Sequence, residues 1–282
     1  MNRGPVLVKL GGSLVTDKLD REVVRFEVLA RLASELRAAR EAGCPPVVLA
    51  HGSGSFGHAA AAGTPLGDRG RRGLGGDIEA LGLAAARTQD AAARLHRSVI
   101  GALLDAGVTP FSLAPSSFVW RTDGLLTCGV LDPLLGALDL GLVPVGYGDV
   151  VVDGDAGATI CSTEELLELW ATGLGSVGRP VGEALWLGVT DGLLDAAGRS
   201  IPRIGEGEIA EAMRVAGGSA GVDVTGGMHL RVEAAWSLAR RGVTSWIVDG
   251  RRPGALLEAL TGEPRGTRVC SERARGGEQS RP

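Results

Sequence analysis

The strongest constraint on the fold of this chain is an alternation of short, continuous apolar runs with longer segments of helical periodicity. Apolar runs ending at Leu10, Ala50, Val145 and Val189 each lead into a glycine-containing loop. Strands that are apolar along their whole length are typical of a parallel sheet with both faces covered by helices. The sequence therefore predicts an α/β fold with a mainly parallel central sheet.

The glycine loops at the ends of these runs indicate where a ligand would bind. In parallel sheets the carboxyl ends of neighbouring strands meet at one edge, and ligands bind in the crevice outside them. The four loops should gather at that edge, and the helix that opens near Thr225 could join them. We expect the active cleft there.

Local signals place two helix starts and one hairpin. Asp20 is a candidate N-cap for a helix whose apolar positions run from Val23 to Leu36. Ser162 and Glu165 have the spacing of a capping box at the start of another helix. The dipeptide Asp123-Gly124 is typical of the tight turn in a β-hairpin.

Composition argues against several classes of protein. A net charge of −4 and an aromatic content of 4% are unlike a nucleic-acid binder, so no nucleic-acid partner is expected. The cysteines are far apart and form no CxxC pair, which favours reduced thiols over a metal site. Apolar runs stay well short of the about 18 residues of a membrane span, and the first strand begins within a few residues of the start. We expect a cytoplasmic protein that does not bind membranes.

The first glycine loop follows an apolar strand and is flanked by two lysines. The strand runs into Gly11-Gly12-Ser13, with Lys9 before the loop and Lys18 after it. All other basic residues in the sequence are arginines. Glycines let backbone N–H groups approach an anion closely, and ammonium groups add compact positive charge. The segment is therefore predicted to bind phosphate.

The second glycine loop runs from His51 to His58 and follows another apolar run. His58 is a candidate for binding an acceptor phosphate, because an imidazole held protonated by a dianion can donate two N–H bonds. His51 is predicted to be structural, and His96 is predicted to lie exposed on a helix. His229 receives no role.

The assembled parts suit a polyphosphate ligand such as ATP, since glycine loops and helix N-termini both favour anions. The sequence contains neither the GxxxxGK[ST] pattern of P-loop ATPases nor the HRD and DFG motifs of protein kinases. Phosphoryl transfer depends mainly on positioning and charge stabilisation, which lysines or Mg²⁺ can supply. An acceptor that is already an anion needs no catalytic base, and the sequence offers no obvious base.

The ordered set of motifs resembles the amino acid kinase superfamily, and within it the isopentenyl phosphate kinase family. The resemblance covers residues 6–269 and implies a three-layer αβα sandwich, usually as a homodimer. It implies a single domain over residues 1–270, with acceptor and nucleotide bound by the N-terminal and C-terminal halves. Residues 271–282, by their composition, are predicted to be a disordered tail. The resemblance rests on the two glycine loops and on Pro115-Ser116-Ser117, Tyr147-Gly148-Asp149-Val150-Val151 and Asp223-Val224-Thr225-Gly226-Gly227-Met228.

The resemblance implies transfer of the γ-phosphate of MgATP to isopentenyl phosphate, which gives isopentenyl diphosphate. Lys9 would stabilise the transferring phosphoryl group, Lys18 would contact phosphate oxygens and His58 would hold the acceptor phosphate. ATP and Mg²⁺ are the expected cofactors, with no metal site made by the protein. The acceptor would also meet Gly52, Ser53, Gly54, Gly57, Gly148 and Asp149. The nucleotide would lie against Gly11, Gly12, Ser13, Thr190, Asp191, Thr225, Gly226 and Gly227.

The sequence departs from the family's pattern in three places. Glu164 stands where the family has the aspartate that organises the cationic groups, and Arg231 stands where it has lysine. The segment Thr190-Asp191-Gly192 is shorter than its counterpart near the adenine pocket. A guanidinium is planar and bulkier than an ammonium, so the arginine is not a neutral exchange at a phosphate site. Glu164 and Arg231 are nevertheless predicted to act in catalysis.

Two other functions stay open from the sequence. A kinase of the same fold could phosphorylate another small anion, such as a bulkier prenyl phosphate or a phosphonate, because alanines at 59–62 and 84–86 leave room. Alternatively, Glu164 and Arg231 could mark a nucleotide-binding regulator with weak catalysis. The presence of Lys9, Lys18 and His58 favours an enzyme.

Overall fold

A computed structural model describes residues 4–17, 20–66, 77–218, 227–262 and 264–271. In these residues, strands and helices alternate along most of the chain. The strands are β1 (Val6–Leu10), β2 (Val47–His51), β3 (Pro110–Ser112), β4 (Val119–Thr122), β5 (Leu125–Cys128), β6 (Val143–Tyr147), β7 (Asp149–Asp153), β8 (Gly157–Cys161), β9 (Glu183–Gly188), β10 (Arg203–Ile204), β11 (Thr244–Asp249) and β12 (Thr267–Val269). The helices are α1 (Gly12–Val15), α2 (Phe26–Glu41), α3 (Gly54–Ala61), α4 (Ile78–Asp105), α5 (Asp132–Asp139), α6 (Thr163–Ser176), α7 (Ile209–Gly218), α8 (Gly227–Arg240) and α9 (Ala255–Thr261), with a 3-10 turn at Pro115–Ser117.

The main sheet has the strand order β10-β12-β11-β9-β1-β2-β6-β3 within the described chain. Its pairs are parallel except for β11 with β12, which confirms the mainly parallel sheet. Strand β1 lies between β2 and β9, with Val8 opposite Leu49 on one side and Leu185 on the other. The loops that follow these three central strands therefore leave from the same edge of the sheet.

Two hydrophobic clusters cover the two faces of the main sheet. On β1, Val6 and Val8 pack with α2, α4 and α9, whereas Leu7 packs with α6 and α8. Full burial of a valine or leucine side chain contributes about 1.5–3 kcal/mol, so each face of the sheet is stabilised by a continuous core. The predicted αβα sandwich is confirmed.

A smaller sheet with the order β5-β4-β7-β8 lies beside the main one. Strands β4 and β5 form the predicted hairpin, and Asp123 and Gly124 at its turn have φ values of 50° and 73°. Two successive residues with positive φ are typical of the type I′ turn, whose twist matches that of the strands. None of the helices in the described residues is long and apolar enough to cross a membrane.

The helix starts were predicted with mixed success. The capping box is confirmed: the Ser162 hydroxyl accepts from the Glu165 N–H, and the Glu165 carboxylate accepts from the Ser162 N–H. The predicted cap at Asp20 is wrong, because α2 begins only at Phe26. A bridge between Thr16 and Val24 holds the segment before α2 in an extended conformation, so helical geometry cannot start earlier.

Two predictions for histidines are also corrected. The second glycine loop turns into helix at Gly54, so His58 lies on α3 rather than in a turn. His96 lies on α4 as predicted, but it is buried against the sheet instead of exposed. Lys18, Thr225 and Gly226 lie outside the described residues, as does the predicted tail beyond Ser271.

Candidate active site

The two glycine loops pack backbone against backbone at the ends of β1 and β2. A Cβ built on Gly12 would lie 2.5 Å from the nitrogen and 2.6 Å from the Cα of Gly54. A Cβ on Gly52 would lie 2.8 Å from the nitrogen of Gly12. Side chains other than hydrogen do not fit at such distances, so glycine at these positions is what lets the loops touch. The predicted gathering of the loops is confirmed for these two.

Thr16 joins the two loops through its hydroxyl group. The hydroxyl donates to the Gly12 carbonyl at 2.8 Å and accepts from the Ser55 N–H at 3.0 Å. Thr16 is fully buried, and its side chain fills the space where Gly54 would carry a Cβ. One buried hydroxyl therefore fixes the first glycine loop relative to the start of α3.

Lys9 and Glu164 form a buried ion pair beside the loops. Lys9 lies two residues after Leu7 on β1, and alternate residues of a strand point to the same face of the sheet. Its side chain therefore points towards α6 and α8, as that of Leu7 does. Its ammonium donates to the carboxylate of Glu164, which lies in the first turn of α6. The two residues are only 6% and 7% exposed. The predicted catalytic lysine and the predicted organising carboxylate are thus in direct contact.

Arg231 completes this cluster from the start of α8. The residue is 7% exposed, and its guanidinium lies against backbone: a Cβ on Gly188 would be 2.5 Å from Nη1, and one on Gly11 would be 3.5 Å from Nη2. The planar group therefore occupies the space between the first glycine loop and the end of β9. We call Lys9, Glu164 and Arg231 the ion cluster.

The charges of the ion cluster support one another. Burial alone would raise the pKa of the Glu164 carboxyl. The charge and hydrogen bond of Lys9, together with the charge of Arg231, outweigh that effect and hold the pKa below its usual value. Two cations and one carboxylate leave net positive charge at the edge of β1, which suits a phosphoryl group.

On the predicted acceptor side, Gly148 lies close to the second glycine loop. A Cβ there would be 3.6 Å from the Ser53 nitrogen. The Asp149 carboxylate accepts from the backbone N–H groups of Ser116 and Val150, so it holds the 3-10 turn, and burial raises the pKa of this carboxyl. Direct contact of Asp149 with an acceptor stays a prediction. His58 is exposed on α3, one residue after Gly57.

On the predicted nucleotide side, the chain leaves β9 through a short turn. Thr190 donates from its hydroxyl to the Gly192 carbonyl at 3.0 Å, and Asp191 is exposed. Gly192 has a φ of 84°, and a Cβ there would overlap the Thr267 hydroxyl. The hydrogen bond and charge of Asp249, with a smaller contribution from the charge of Asp191, raise the pKa of Arg251. Gly227 begins α8, the helix that carries Arg231.

The described residues contain no group of three or more histidine, cysteine, aspartate or glutamate side chains that could hold a metal ion. The carboxylate of Glu164, in the first turn of α6, is already paired with Lys9. Mg²⁺ commonly keeps its waters and binds to substrate phosphates with one or two carboxylates. The donor set in this part of the chain therefore offers no protein cage for the ion.

Sequence reasoning missed several residues that organise the site. Thr16 shows a four-residue spacing to Gly12, but its second bond to Ser55 depends on tertiary structure. The Thr163 hydroxyl donates to the His51 carbonyl at 3.0 Å, which ties α6 to β2. Gly188 lies inside the predicted apolar run that ends at Val189, and only the fold reveals that it ends β9 with a guanidinium against it.

A family model and individual relatives place this chain in the same protein family. The model of the "Amino acid kinase family" matches residues 4–249. The chain is 31% identical over 278 residues to the isopentenyl phosphate kinase of Methanothermobacter thermautotrophicus, covering 95% of this chain and 99% of that one. It is 36% identical over 264 residues to the isopentenyl phosphate kinase of Haloferax volcanii, covering 89% and 98%.

A solved structure agrees with these relatives. X-ray coordinates of an isopentenyl phosphate kinase match this chain with a TM-score of 0.77 at 27% identity, covering 94% of this chain and 100% of the other. Near-complete coverage in both directions means that the relatives share the whole fold rather than one motif. The chain therefore belongs to the amino acid kinase family and, within it, to the isopentenyl phosphate kinases.

Proposed function

We propose that this protein transfers the γ-phosphate of ATP to isopentenyl phosphate, forming isopentenyl diphosphate and ADP. The observation that carries the proposal is the ion cluster at the carboxyl end of β1, next to two glycine loops in backbone contact. Lys9 and Arg231 supply buried positive charge; Glu164 is ion-paired with Lys9, and Arg231 lies close enough to act on the same carboxylate through its charge. Relatives of the same length carry the name of this activity.

The chemistry needs positioning and charge stabilisation. An acceptor phosphate oxygen forms a bond to the γ-phosphorus while the bond from that phosphorus to the β,γ-bridging oxygen breaks, and ADP leaves with that electron pair. The acceptor is already anionic at neutral pH, so no residue has to remove a proton. Lys9 stabilises the equatorial oxygens of the group in transfer, and Arg231 neutralises charge that develops beside the first glycine loop.

The roles of the loops follow from their backbone. The Gly12 N–H is proposed to face the nucleotide phosphates, whereas the Gly11 N–H already donates to the Leu187 carbonyl at 2.8 Å and so fixes the start of the loop against β9. His58 and residues of the second glycine loop are proposed to hold the acceptor phosphate. Lys18, Thr225 and Gly226 are proposed to join the nucleotide phosphates on the strength of the family resemblance. Mg²⁺ is proposed to enter with ATP and to neutralise phosphate charge, because the described residues offer it no cage.

The reason to consider a weak regulator was the pair of departures at Glu164 and Arg231. In the structure Glu164 is paired with Lys9, and the Arg231 guanidinium lies against Gly11 and Gly188, so the longer carboxylate and the bulkier cation are both accommodated. This geometry favours an active enzyme.

A coupled ADP-release assay tests the activity and its acceptor. Purified protein is given ATP, Mg²⁺ and a panel of monoesters that includes isopentenyl phosphate, longer prenyl phosphates and a phosphonate. We expect the highest kcat/KM for isopentenyl phosphate. Faster turnover of a longer prenyl phosphate or the phosphonate would reassign the acceptor, and a folded protein that turns over none of them would remove the proposed activity.

Replacing His58 by alanine should raise KM for the acceptor by about 10- to 100-fold, because a hydrogen bond to a charged group contributes about 1.5–3 kcal/mol. KM for ATP should stay within about twofold of wild type. Steady-state kinetics with each substrate varied in turn measure both constants. The conservative His58→Gln, which keeps one donor, should fall between wild type and alanine. Equal increases in both KM values would place His58 elsewhere.

Replacing Arg231 by lysine should lower kcat by about tenfold, and replacing it by methionine should lower kcat by about 10²-fold. The ammonium of lysine cannot fill the planar space between Gly11 and Gly188. Arg240→Lys, at the exposed end of the same helix, is the matched control and should leave kcat unchanged. Higher activity in Arg231→Lys would mean that the site has not adapted to the guanidinium.

Assembly and location are further parts of the proposal. The family resemblance supports a homodimer with a small-molecule phosphate acceptor as its partner, and a cytoplasmic location is part of the same proposal. Light scattering coupled to size-exclusion chromatography of the full chain measures the mass in solution. A single peak at twice the chain mass of 28.9 kDa is expected, and a peak at the chain mass would contradict the dimer.

A further inference from the structure

Two histidines outside the ion cluster form a buried group with Tyr147. His51 ends β2 and His96 lies in the middle of α4, 45 residues later. Their ring centroids are 5.3 Å apart, and the Tyr147 ring lies 4.3 Å from that of His96. All three side chains are buried. Two imidazoles in contact inside a core call for an explanation, because buried polar groups need satisfied hydrogen bonds.

The hydrogen bonds between these groups form a chain with one possible direction. The Nδ1 atom of His51 lies 3.1 Å from the Gly52 carbonyl oxygen, which can only accept, so Nδ1 carries the proton. In the neutral ring, Nε2 of His51 then accepts from Nδ1 of His96 at 3.0 Å. Nε2 of His96 in turn accepts from the Ser112 hydroxyl at 2.7 Å.

The chain of hydrogen bonds requires both imidazoles to be neutral, and burial keeps them neutral by disfavouring the charged form. Burial lowers the pKa of His51 to about 4. Burial, His51 and the nearby charge of Arg97 lower the pKa of His96 to about 3. Near neutral pH each ring therefore carries one proton, on Nδ1 in both cases. The chain runs from Ser112, which is exposed at the sheet edge, to the peptide of Gly52.

The buried end of this hydrogen-bond chain is Gly52, which lies where the second glycine loop meets β1. Gly52 belongs to the second glycine loop, and its N–H donates to the Leu10 carbonyl at 2.9 Å. The peptide carbonyl of His51 accepts from Gly148 N–H and from the Thr163 hydroxyl, both at 3.0 Å. The Gly52 carbonyl and the Ser53 N–H belong to the same planar peptide group. A hydrogen bond that holds the carbonyl therefore also orients the Ser53 N–H towards the predicted acceptor side.

We propose that His51 and His96 are positioning residues for the acceptor phosphate: their directed hydrogen bonds hold the Gly52 carbonyl and so orient the second glycine loop. Neither ring transfers a proton in the reaction. The proposal rests on the proposed function for what the loop binds, but the hydrogen-bond chain itself can be tested without turnover.

Long-range ¹H–¹⁵N NMR of the imidazoles in the full chain reads the tautomers directly. The sequence has four histidines, at 51, 58, 96 and 229, so single substitutions assign the signals. At neutral pH both His51 and His96 should be neutral with the proton on Nδ1. In Ser112→Ala, His96 loses the donor to Nε2 but keeps the bond from Nδ1 to His51, so Nδ1 should stay protonated while the Nε2 resonance of His96 moves. An Nε2–H or doubly protonated ring in the wild type would overturn the chain.

Kinetics of a matched pair test the positioning. Asparagine carries its amide nitrogen near the place of Nδ1, so His96→Asn keeps a donor towards His51, whereas His96→Leu keeps only the packing. His96→Leu should raise KM for isopentenyl phosphate about tenfold with KM for ATP within about twofold, and His96→Asn should stay within about threefold of wild type in both.

Thermal unfolding of both variants shows that the comparison is made between folded proteins. If His96→Leu does not fold, Ser112→Ala takes its place and should raise only the acceptor KM, by a smaller factor. Equal effects of His96→Leu and His96→Asn, or no change in KM for the acceptor, would mean that the two histidines only pack in the core and do not position the loop. A wild type with the Nδ1–H tautomers but no activity on any acceptor would overturn the proposed function and, with it, the positioning role, while leaving the chain in place.

Discussion

Replacing Lys9 by methionine is expected to lower kcat by at least about 10²–10³-fold, the usual cost of removing a group that stabilises charge in the transition state. Lys9 is the buried ammonium of the ion cluster, and its partner Glu164 holds it at the end of β1. KM for both substrates should change much less than kcat, because the interaction is made mainly to the group in transfer. Steady-state kinetics of the purified variant measure this.

The same substitution also disturbs stability, and a second variant separates the two effects. Removing one partner of a buried ion pair costs about 3–5 kcal/mol when the other charge is left without compensation. Here Arg231 still faces Glu164, so the loss should lie at or below the lower end of that range. The double variant Lys9→Met/Glu164→Gln also leaves the buried charge of Arg231 without its carboxylate, so it should be less stable than Lys9→Met while kcat stays equally low. A Lys9→Met enzyme with kcat within tenfold of wild type would contradict the assigned role.

Replacing Gly12 by alanine should also have a large effect, through the backbone rather than a charge. The new Cβ would lie 2.5 Å from the Gly54 nitrogen, so the two glycine loops must separate. Overpacking of this kind costs about 1–3 kcal/mol of stability. Because an outward shift of about 1 Å in a site can cost about 10²-fold in rate, we expect kcat/KM to fall by about that factor.

A control for this variant comes from Gly101 on α4, where a Cβ would meet open space. Alanine is favoured over glycine in a helix by about 0.8–1.0 kcal/mol, so Gly101→Ala should be neutral or slightly stabilising and fully active. Chemical denaturation and kinetics are measured on both variants. Wild-type activity in Gly12→Ala would show that close contact of the loops is not needed for the reaction.

Much of the fold was predictable because it depends on local patterns. Continuous apolar runs indicated the central parallel strands, and the spacing of Ser162 and Glu165 indicated the start of α6. The start of α2 was not predictable, since the bridge from Thr16 to Val24 forms only when the chain folds back on itself. Local capping preference at Asp20 was too weak to compete with that pairing.

The geometry of the candidate site could not be predicted from the sequence. Lys9, Glu164 and Arg231 lie far apart in the sequence, and resemblance to a family indicated them without showing that Lys9 and Glu164 form a buried ion pair or that Arg231 lies against Gly188. For His96, a polar residue on an alanine-rich helix suggested exposure. Its burial depends on His51 and Ser112, which satisfy both ring nitrogens from other elements. Hydrogen bonds to residues on other elements cannot be predicted from the residues that surround His96 in the sequence.

Phosphorus NMR of a reaction with ATP, isopentenyl phosphate and Mg²⁺ directly observes the bond that this chain is proposed to form at the ion cluster. In the wild type, new resonances of a diphosphate monoester should grow in step with those of ADP, and they should be absent with Lys9→Met. Folded wild-type protein that forms no diphosphate would contradict the proposed activity, and a Lys9→Met variant that forms it at the wild-type rate would contradict the role of the ion cluster.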